Sequence, residues 1–293
     1  MLLTGNLDDT RSDFSATKLS SGSIFVAGGD GDPTSWEILD QNGNVLHSGL
    51  LNDQRISHGA TLLSNGNVFL ASGNAAPGTW EIHSPTGTLV ASGNLNDARS
   101  GGLGVVTLNN GNIWISGSGS PGATTTWEIH SSTGALVSHG NLQSARIGAK
   151  TLVLASNNVI LMCGNGSTST YEMYTQTGTF VKTGIMTNAF NSGASAVRLT
   201  NGNVFIFGST NTAPPGAPGT WEIRDGNGNF VSTGSLLDSR GAAGAVVLST
   251  GNVFITGGFF APGAWEIRSA SGALVSQGSL FDSRGPGHRD VHF

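Results

Sequence analysis

Charge is scarce in this sequence. Asp, Glu, Lys and Arg make up 11% of it, less than half the usual share. Disorder goes with high net charge and few apolar residues, and neither holds here, so the chain is expected to fold. There is no run of lysine and arginine. With a formal charge of −5 and a pI near 5.7, this argues against a general nucleic-acid binder. The single cysteine, Cys163, excludes an intramolecular disulfide framework and a cysteine-based zinc site. No apolar stretch approaches the ~20 residues needed to cross a bilayer as a helix, so no membrane insertion is expected. Met1 to Gly5 carries neither a basic segment nor a long apolar one, so no signal peptide is expected, although the composition is also that of secreted repeat proteins. No segment sustains a 3.6-residue apolar period, and essentially no helix is predicted.

What the chain has instead is glycine, at about double its usual share, and a short segment copied along its length. Trp36-Glu37-Ile38, Trp80-Glu81-Ile82, Trp127-Glu128-Ile129, Trp221-Glu222-Ile223 and Trp265-Glu266-Ile267 are near-identical, and Tyr171-Glu172-Met173 is a looser copy. These six triplets hold every glutamate and five of the six tryptophans, so one building block has been copied six times. Aligned on Gly5, Gly49, Gly93, Gly140, Gly184, Gly234 and Gly278, the repeats are 44, 44, 47, 44, 50 and 44 residues long. That period fits four-stranded propeller blades.

The second repeat shows the four segments. His58 to Leu63 is apolar, and Asn65-Gly66 follows as a two-residue hairpin signal of type I′, which needs positive φ at both positions. Val68 to Ala71 is almost continuously apolar, as in a strand buried on both faces. A Pro/Gly loop, Asn74 to Gly78, leads into Thr79 to His83. Pro85-Thr86-Gly87 turns the chain into Thr88 to Ala91, and Gly93 to Arg99 connects to the next repeat. The expected architecture is all-β: one domain over residues 1–293, a six-bladed β-propeller of four-stranded antiparallel blades. The blades fall near 12–48, 55–92, 99–139, 146–183, 190–233 and 240–277, with 278–293 as a closing tail. The chain has seven connectors for six triplets, so both ends compete for one position. Residues 12–20 are expected to form the first strand of blade one. Gly285 to Phe293 is expected to cover the seam or reach a neighbouring molecule, unless the chain is cut from a longer array.

The pattern resembles the kelch repeat. Arg55, the segment ending Thr61-Leu62-Leu63, then Asn65 to Leu70 and a glycine at Gly73 match its first half. Ser23 to Gly29 and Val253 to Gly258 carry its double glycine. The likeness covers nearly the whole chain and implies a β-propeller. The family carries its tryptophan around the fourth strand. Here it opens the third, and Leu46, Leu89, Leu136, Phe180, Phe230 and Leu274 stand in the fourth. In this the chain looks more like divergent bacterial kelch-like or galactose-oxidase-like propellers. The latter resemblance implies a copper–tyrosine–cysteine site, but Tyr171, Tyr174 and Cys163 are less than the full set. No cofactor or metal is expected.

Six near-identical copies point to architecture rather than catalysis, and no catalytic residue is assigned. Trp36, Trp80, Trp127, Trp221 and Trp265 read as wedges between blades. Glutamate in a buried strand needs a partner. Arg55, Arg99, Arg146, Arg240 and Arg284 each follow a triplet glutamate by 18 residues, so each arginine, Arg99 with Glu81 among them, is expected to pin a connector to the blade before it. Only Glu172 fails, where Phe190 stands. The connector aspartates Asp9, Asp53, Asp97, Asp238 and Asp282 are expected to close local turns.

In a four-stranded meander the loops between strands two and three open on the same face as the connectors, and here those loops vary most. Variable loops on a rigid scaffold are where binding usually sits. Candidate ligand-binding residues are therefore Asp30, Asp32, Asn74, Phe259 and Phe260. Added to them are His83, His130 and Tyr174, from the variable position after each triplet, where the two histidines are placed to face each other across a blade. The expected function is a non-catalytic binding scaffold for a protein or glycan. The alternatives are an enzyme with a small-molecule site at the mouth of a central channel, and a structural unit of a surface assembly. The chain is expected to be a monomer or to associate end to end.

Overall fold

A computed structural model describes residue 7 and residues 11–118, 125–208, 219–258, 261–280 and 291–292. All regular structure in these residues is β, and it divides into two compact units between Asn141 and Leu142.

The first unit holds three blades. They are β1 (Ser15–Lys18) to β4, with β2 (Ile24–Ala27), β3 (Ser35–Leu39) and β4 (Val45–Leu50); β5 (Gly59–Leu62), β6 (Val68–Ala71), β7 (Thr79–His83) and β8 (Leu89–Asn94); and β9 (Gly104–Thr107), β10 (Ile113–Ser116), β11 (Thr126–His130) and β12 (Leu136–Asn141). The second unit repeats the plan. Its blades are β13 (Lys150–Val153), β14 (Val159–Met162), β15 (Thr170–Tyr174) and β16 (Phe180–Ile185); β17 (Ser195–Arg198), β18 (Val204–Gly208), β19 (Thr220–Arg224) and β20 (Phe230–Ser235); and β21 (Gly244–Val247), β22 (Val253–Thr256), β23 (Ala264–Arg268) and β24 (Leu274–Ser279). Each blade is an antiparallel meander in chain order. One further strand, β25 (Val291–His292), pairs parallel with β1 at Ala16 and Thr17 and so belongs to the first unit.

The second strand of each unit's middle blade, β6 or β18, is apolar throughout because both of its faces meet a neighbour. Val68 and Leu70 pack with Phe25, Trp36 and Ile38 of the preceding blade. Phe69 and Ala71 pack with Trp80, Val105, Ile113 and Ile115 on the side of the following one. Unit two repeats this: Ile160, Tyr171 and Met173 meet Val204 and Ile206, while Phe205, Phe207 and Trp221 meet Val253 and Ile255.

The hairpin at Asn65-Gly66 is not the type I′ turn expected. Only Gly66 has positive φ, at 87°. Leu63 N donates to Asn67 O and Gly66 N donates back to Leu63 O, which makes a three-residue loop ending in a left-handed residue. Asparagine fills that place in the fourth blade, where Asn157 has φ 66°, consistent with its tolerance of the left-handed region.

The tryptophans pack as wedges. Trp80 stacks on Phe69 at 5.7 Å, and its Nε1 donates to Asn94 O at 3.1 Å. Its ring lies on Gly93, where a Cβ would come within 2.6 Å of Cζ2, and its far edge lies on Gly134 in the next blade's turn. The glycine that aligns the repeats is therefore the floor of a tryptophan slot. Trp36, Trp127 and Trp221 sit in the same kind of slot, and Trp265 keeps the glycine but is less buried.

Candidate functional site: the connector face

Among the described residues, the connectors that carry an arginine are held twice. Its backbone runs back along the blade just completed: Leu51 N donates to Thr34 O at 2.7 Å and Arg55 N to Pro33 O at 2.8 Å. Its arginine side chain does the opposite and reaches the glutamate of the blade that follows. Arg55 meets Glu81 at 2.8 Å, Arg99 meets Glu128 at 2.9 Å, Arg146 meets Glu172 at 3.0 Å and Arg240 meets Glu266 at 3.2 Å. Arg11 meets Glu37 in the same way at 3.0 Å. The expected pairing of Arg99 with Glu81, and of Arg55, Arg146 and Arg240 with the blade before them, is thus corrected, while Arg284 lies outside the described residues. The reason is the constant connector length, which holds the 18-residue spacing fixed, whereas the 26 to 29 residues separating the true partners include a variable loop.

The exception moves with the pairing. Glu172 has its connector arginine. It is Glu222 that lacks one, because Phe190 stands in its connector, and Arg224 from the same strand takes over with Nε 2.5 Å from the carboxylate. The buried carboxylates also accept connector backbone N–H groups, from Asn52 to Glu81 and from Asn96 to Glu128, both at 2.8 Å. Burial by itself would raise the Glu81 pKa. The hydrogen bond from His83 and the Arg55 charge outweigh it and bring it down to about 2. The Glu128 pKa is lowered by its counterparts His130 and Arg99 against the same burial.

The guanidinium groups also fix the loops. Arg55 Nη1 donates to the carbonyl oxygens of Ser72 and Thr79 at the two ends of the loop between β6 and β7. Arg11 does the same for Gly28, Asp32 and Ser35. Connectors and loops lie on one edge of each blade, as Asn74 N donating to Ile56 O also shows. Of the connector aspartates described, Asp53, Asp97 and Asp238 each lie 3.3 to 3.6 Å from the arginine of their own connector instead of closing a backbone turn. Asp9 and Asp282 lie outside the described residues.

The candidate binding residues separate into two groups. Asp30 and Asn74 are exposed on this face. Asn74 Oδ1 accepts from Gly101 N at 3.0 Å, and Asp32 is partly tied up, accepting from Thr34 and lying 3.7 Å from Arg11. Phe259 and Phe260 lie outside the described residues. His83, His130 and Tyr174 belong to a different class, because each is buried at 1% exposure. His83 and His130 do not face each other. Each Nε2 bonds the glutamate two residues earlier, at 3.0 and 2.8 Å, and each Nδ1 bonds a turn carbonyl. Tyr174 donates to Glu172 at 2.6 Å. Two residues along a strand return to the same face, so the position after the triplet is the natural second partner of the glutamate. These three side chains have no surface to offer a ligand. Cys163 is buried, its thiol pKa raised by desolvation, and its carbonyl accepts from Arg146.

One polar pair was not anticipated. Ser15 Oγ lies 2.7 Å from His58 Nε2, between the starts of β1 and β5. The ring sits against the glycine turns, with Gly28 beside Cε1 and Gly73 beside Cβ. Burial, reinforced by the Arg55 charge and opposed by Glu81, takes the imidazole pKa down to about 3, so it is neutral. Nδ1 is buried with no partner among the described residues. A proton there would be a stranded donor, so the favoured tautomer donates from Nε2 to Ser15 and leaves only a lone pair unmatched. The sequence held a signal for this. Three residues past the connector position stand Phe14, Gly102, Ala149, Gly193 and Ala243, and only here a histidine.

No family model and no curated protein matches this chain. Solved structures do. A catalytically inactive virginiamycin B lyase from Staphylococcus aureus, with quinupristin, is 11% identical, with a TM-score of 0.69 over 96% of this chain and 87% of that one. A fungal alcohol oxidase in complex with copper is 15% identical, with a TM-score of 0.67 over 97% and 69%. BamB from Moraxella catarrhalis is 14% identical, with a TM-score of 0.58 over 95% and 80%. At such identities the likeness shows the fold alone: this chain is an all-β, six-bladed propeller of four-stranded antiparallel blades.

Proposed function

We propose that this chain is a non-catalytic, kelch-like binding scaffold that recognises a protein or glycan through its connector-and-loop face. The observation that carries this reading is the connector arginine under five of the six loops, all but that of the blade where Phe190 stands in the connector. A buried Arg–Glu pair holds the loop ends by their carbonyl oxygens, so loops of different sequence stand on a constant base. Rigid support beneath variable loops is the arrangement binding surfaces use. Asp30 and Asn74 offer exposed acceptors there.

The fold also serves enzymes, since the similar structures include a lyase and an oxidase. The Ser15–His58 pair is the feature that most suggests chemistry, and its tautomer argues against it. A base must accept the serine proton at Nε2 and be oriented by an acceptor at Nδ1, and no such acceptor is present among the described residues.

The test is hydrogen exchange of the whole chain against a glycan array hit or a captured protein, repeated with Asp30→Ala and Asn74→Ala together. Protection of 28–35 and 74–78 that is lost in the double variant is the expected result. Protection confined to the first strands, unchanged by the substitutions, would sink the proposal in favour of a small-molecule site.

A further inference from the structure

The described strands pair antiparallel with one exception. β25 runs parallel to β1, with Val291 opposite Ala16 and His292 opposite Thr17. It lies on the side of β1 away from β2, so among the described residues blade one alone has five strands. The first strands of the other blades, β5, β9, β13, β17 and β21, pair on one side only among the described strands. Blade one departs from the repeat a second time at the same strand. Ser15, which opens β1, is bonded to His58, the histidine that no other blade has at this position. The start of β1 is thereby fastened to the start of β5, while its other side is left to β25. That cover is incomplete. β25 faces two of the four residues of β1, and parallel pairing is the weaker kind per residue. Thr17 is 3% exposed, and its hydroxyl has no hydrogen-bond partner among the described residues.

We propose that the edge of β1 away from β2 is a strand-addition site for an extended peptide segment of another protein, and that β25 is its tethered, displaceable occupant. The structure shows what kind of occupant the edge takes, because an extended segment is seated on it. A strand edge offers a row of backbone N–H and C=O groups, which another strand matches through its own main chain. The fitting segment has no proline at the paired positions and carries a hydroxyl side chain opposite Thr17, where it can satisfy the buried Oγ1. β25 is displaceable for a reason of length. It is joined to β24 by residues 280–290, and a tether holds what it carries at an effective concentration of about the millimolar range. A two-residue ladder kept in place by proximity gives way to a segment that pairs with all four residues of β1. Because β1 starts at the connector and β25 runs parallel to it, such a segment enters from the connector side and runs towards the hairpin between β1 and β2. It uses none of the variable loops, so the site is separate from the loop face.

The probe is a fluorescein-labelled peptide with the sequence of residues 287–293, titrated to about 1 mM and read by fluorescence anisotropy. It is added to the full chain and to a full-length variant carrying Val291→Pro and His292→Pro, which lacks the backbone donors of β25. The variant is expected to bind at least about fivefold more tightly than the wild type, whose edge is already occupied. Hydrogen exchange of that complex is expected to show new protection at 15–18. The peptide with proline at the position of Val291 is expected to bind at least about tenfold more weakly. The peptide with threonine at the position of His292 is expected to bind about threefold more tightly. Should the variant lose its β-sheet circular dichroism, the wild type with excess peptide is measured instead: exchange at 291–293 is expected to quicken while 15–18 stay protected. A folded variant that binds no more tightly than the wild type would overturn the proposal, as would a proline peptide as tight as the native one or a threonine peptide no tighter. Unchanged exchange at 291–293 in the wild type, or protection at 28–35 and 74–78 in place of 15–18, would overturn it as well, the second in favour of the loop face.

Discussion

A buried carboxylate is tolerated only when its charge is matched and its lone pairs are filled, and the six triplet glutamates meet that demand by one scheme. Connector arginine, connector backbone N–H and the residue two places along the strand converge on Glu81, Glu128, Glu172 and Glu266, whereas Glu222 lacks the arginine and Leu39 stands two places beyond Glu37. The second partner is histidine at Glu81 and Glu128, tyrosine at Glu172 and arginine at Glu222 and Glu266. A double-mutant cycle distinguishes this pairing from the one suggested by sequence spacing. Arg99→Met with Glu128→Gln is expected to show a coupling of about 1–3 kcal/mol in urea unfolding, and Arg99→Met with Glu81→Gln close to none. Equal couplings would refute the assignment. The two depressed pKa values predict separate acid windows. Glu81 contributes stability that is complete above its usual 4.5 and lost as pH falls through about 2. His58, held neutral, contributes stability that is complete above 6.5 and lost as pH falls through about 3. His58→Ala, the residue found at the equivalent Ala149 and Ala243, should therefore flatten the decline in urea midpoint that begins near pH 6.5 and leave the one that begins near 4.5. Parallel pH profiles for the two proteins would show that His58 titrates as it does when unfolded.

At the scale of the strand, the third and fourth strands of a blade are joined through a tryptophan and a glycine that specify each other. The ring needs a residue with no side chain beneath it, and the next blade's turn supplies a second such residue at its edge. Gly93→Ala is expected to cost about 1–3 kcal/mol by overpacking against Trp80, measured as the shift in urea midpoint at unchanged slope. The same substitution at Gly43, where a Cβ meets nothing within 4 Å, tests whether the cost is contact or backbone. Its φ of 84° leaves only the conformational term, which should be the smaller. A larger loss at Gly43 would show that backbone conformation, not the ring, selects these glycines.

At the scale of the whole molecule, scarce charge governs how strongly copies repel one another. Net charge vanishes near pH 5.7, so repulsion between copies should fade as pH is lowered from 8 towards 6, seen as rising static light scattering at fixed concentration. Scattering that falls over that range would mean the contacts are ionic. Much of this molecule was legible in the sequence because a copied unit reports its own period. The blade count, the meander of short strands, the doubly buried second strand and the placement of connectors with variable loops all follow from spacing, turn residues and apolar runs. Partnership was not legible. In a repeat, every arginine stands at a constant distance from one glutamate behind it and a nearly constant one from another ahead, and periodic spacing cannot choose between them. Nor does a one-dimensional pattern reveal that His83, His130 and Tyr174 point back at a buried carboxylate, that His58 is enclosed by two glycine turns, or that the apolar pair of each fourth strand faces outward. Local chain chemistry determined the unit and how often it recurs. The packing of one blade against the next decided which charges meet and which side chains are left for other molecules, because those contacts join residues that sequence distance does not single out.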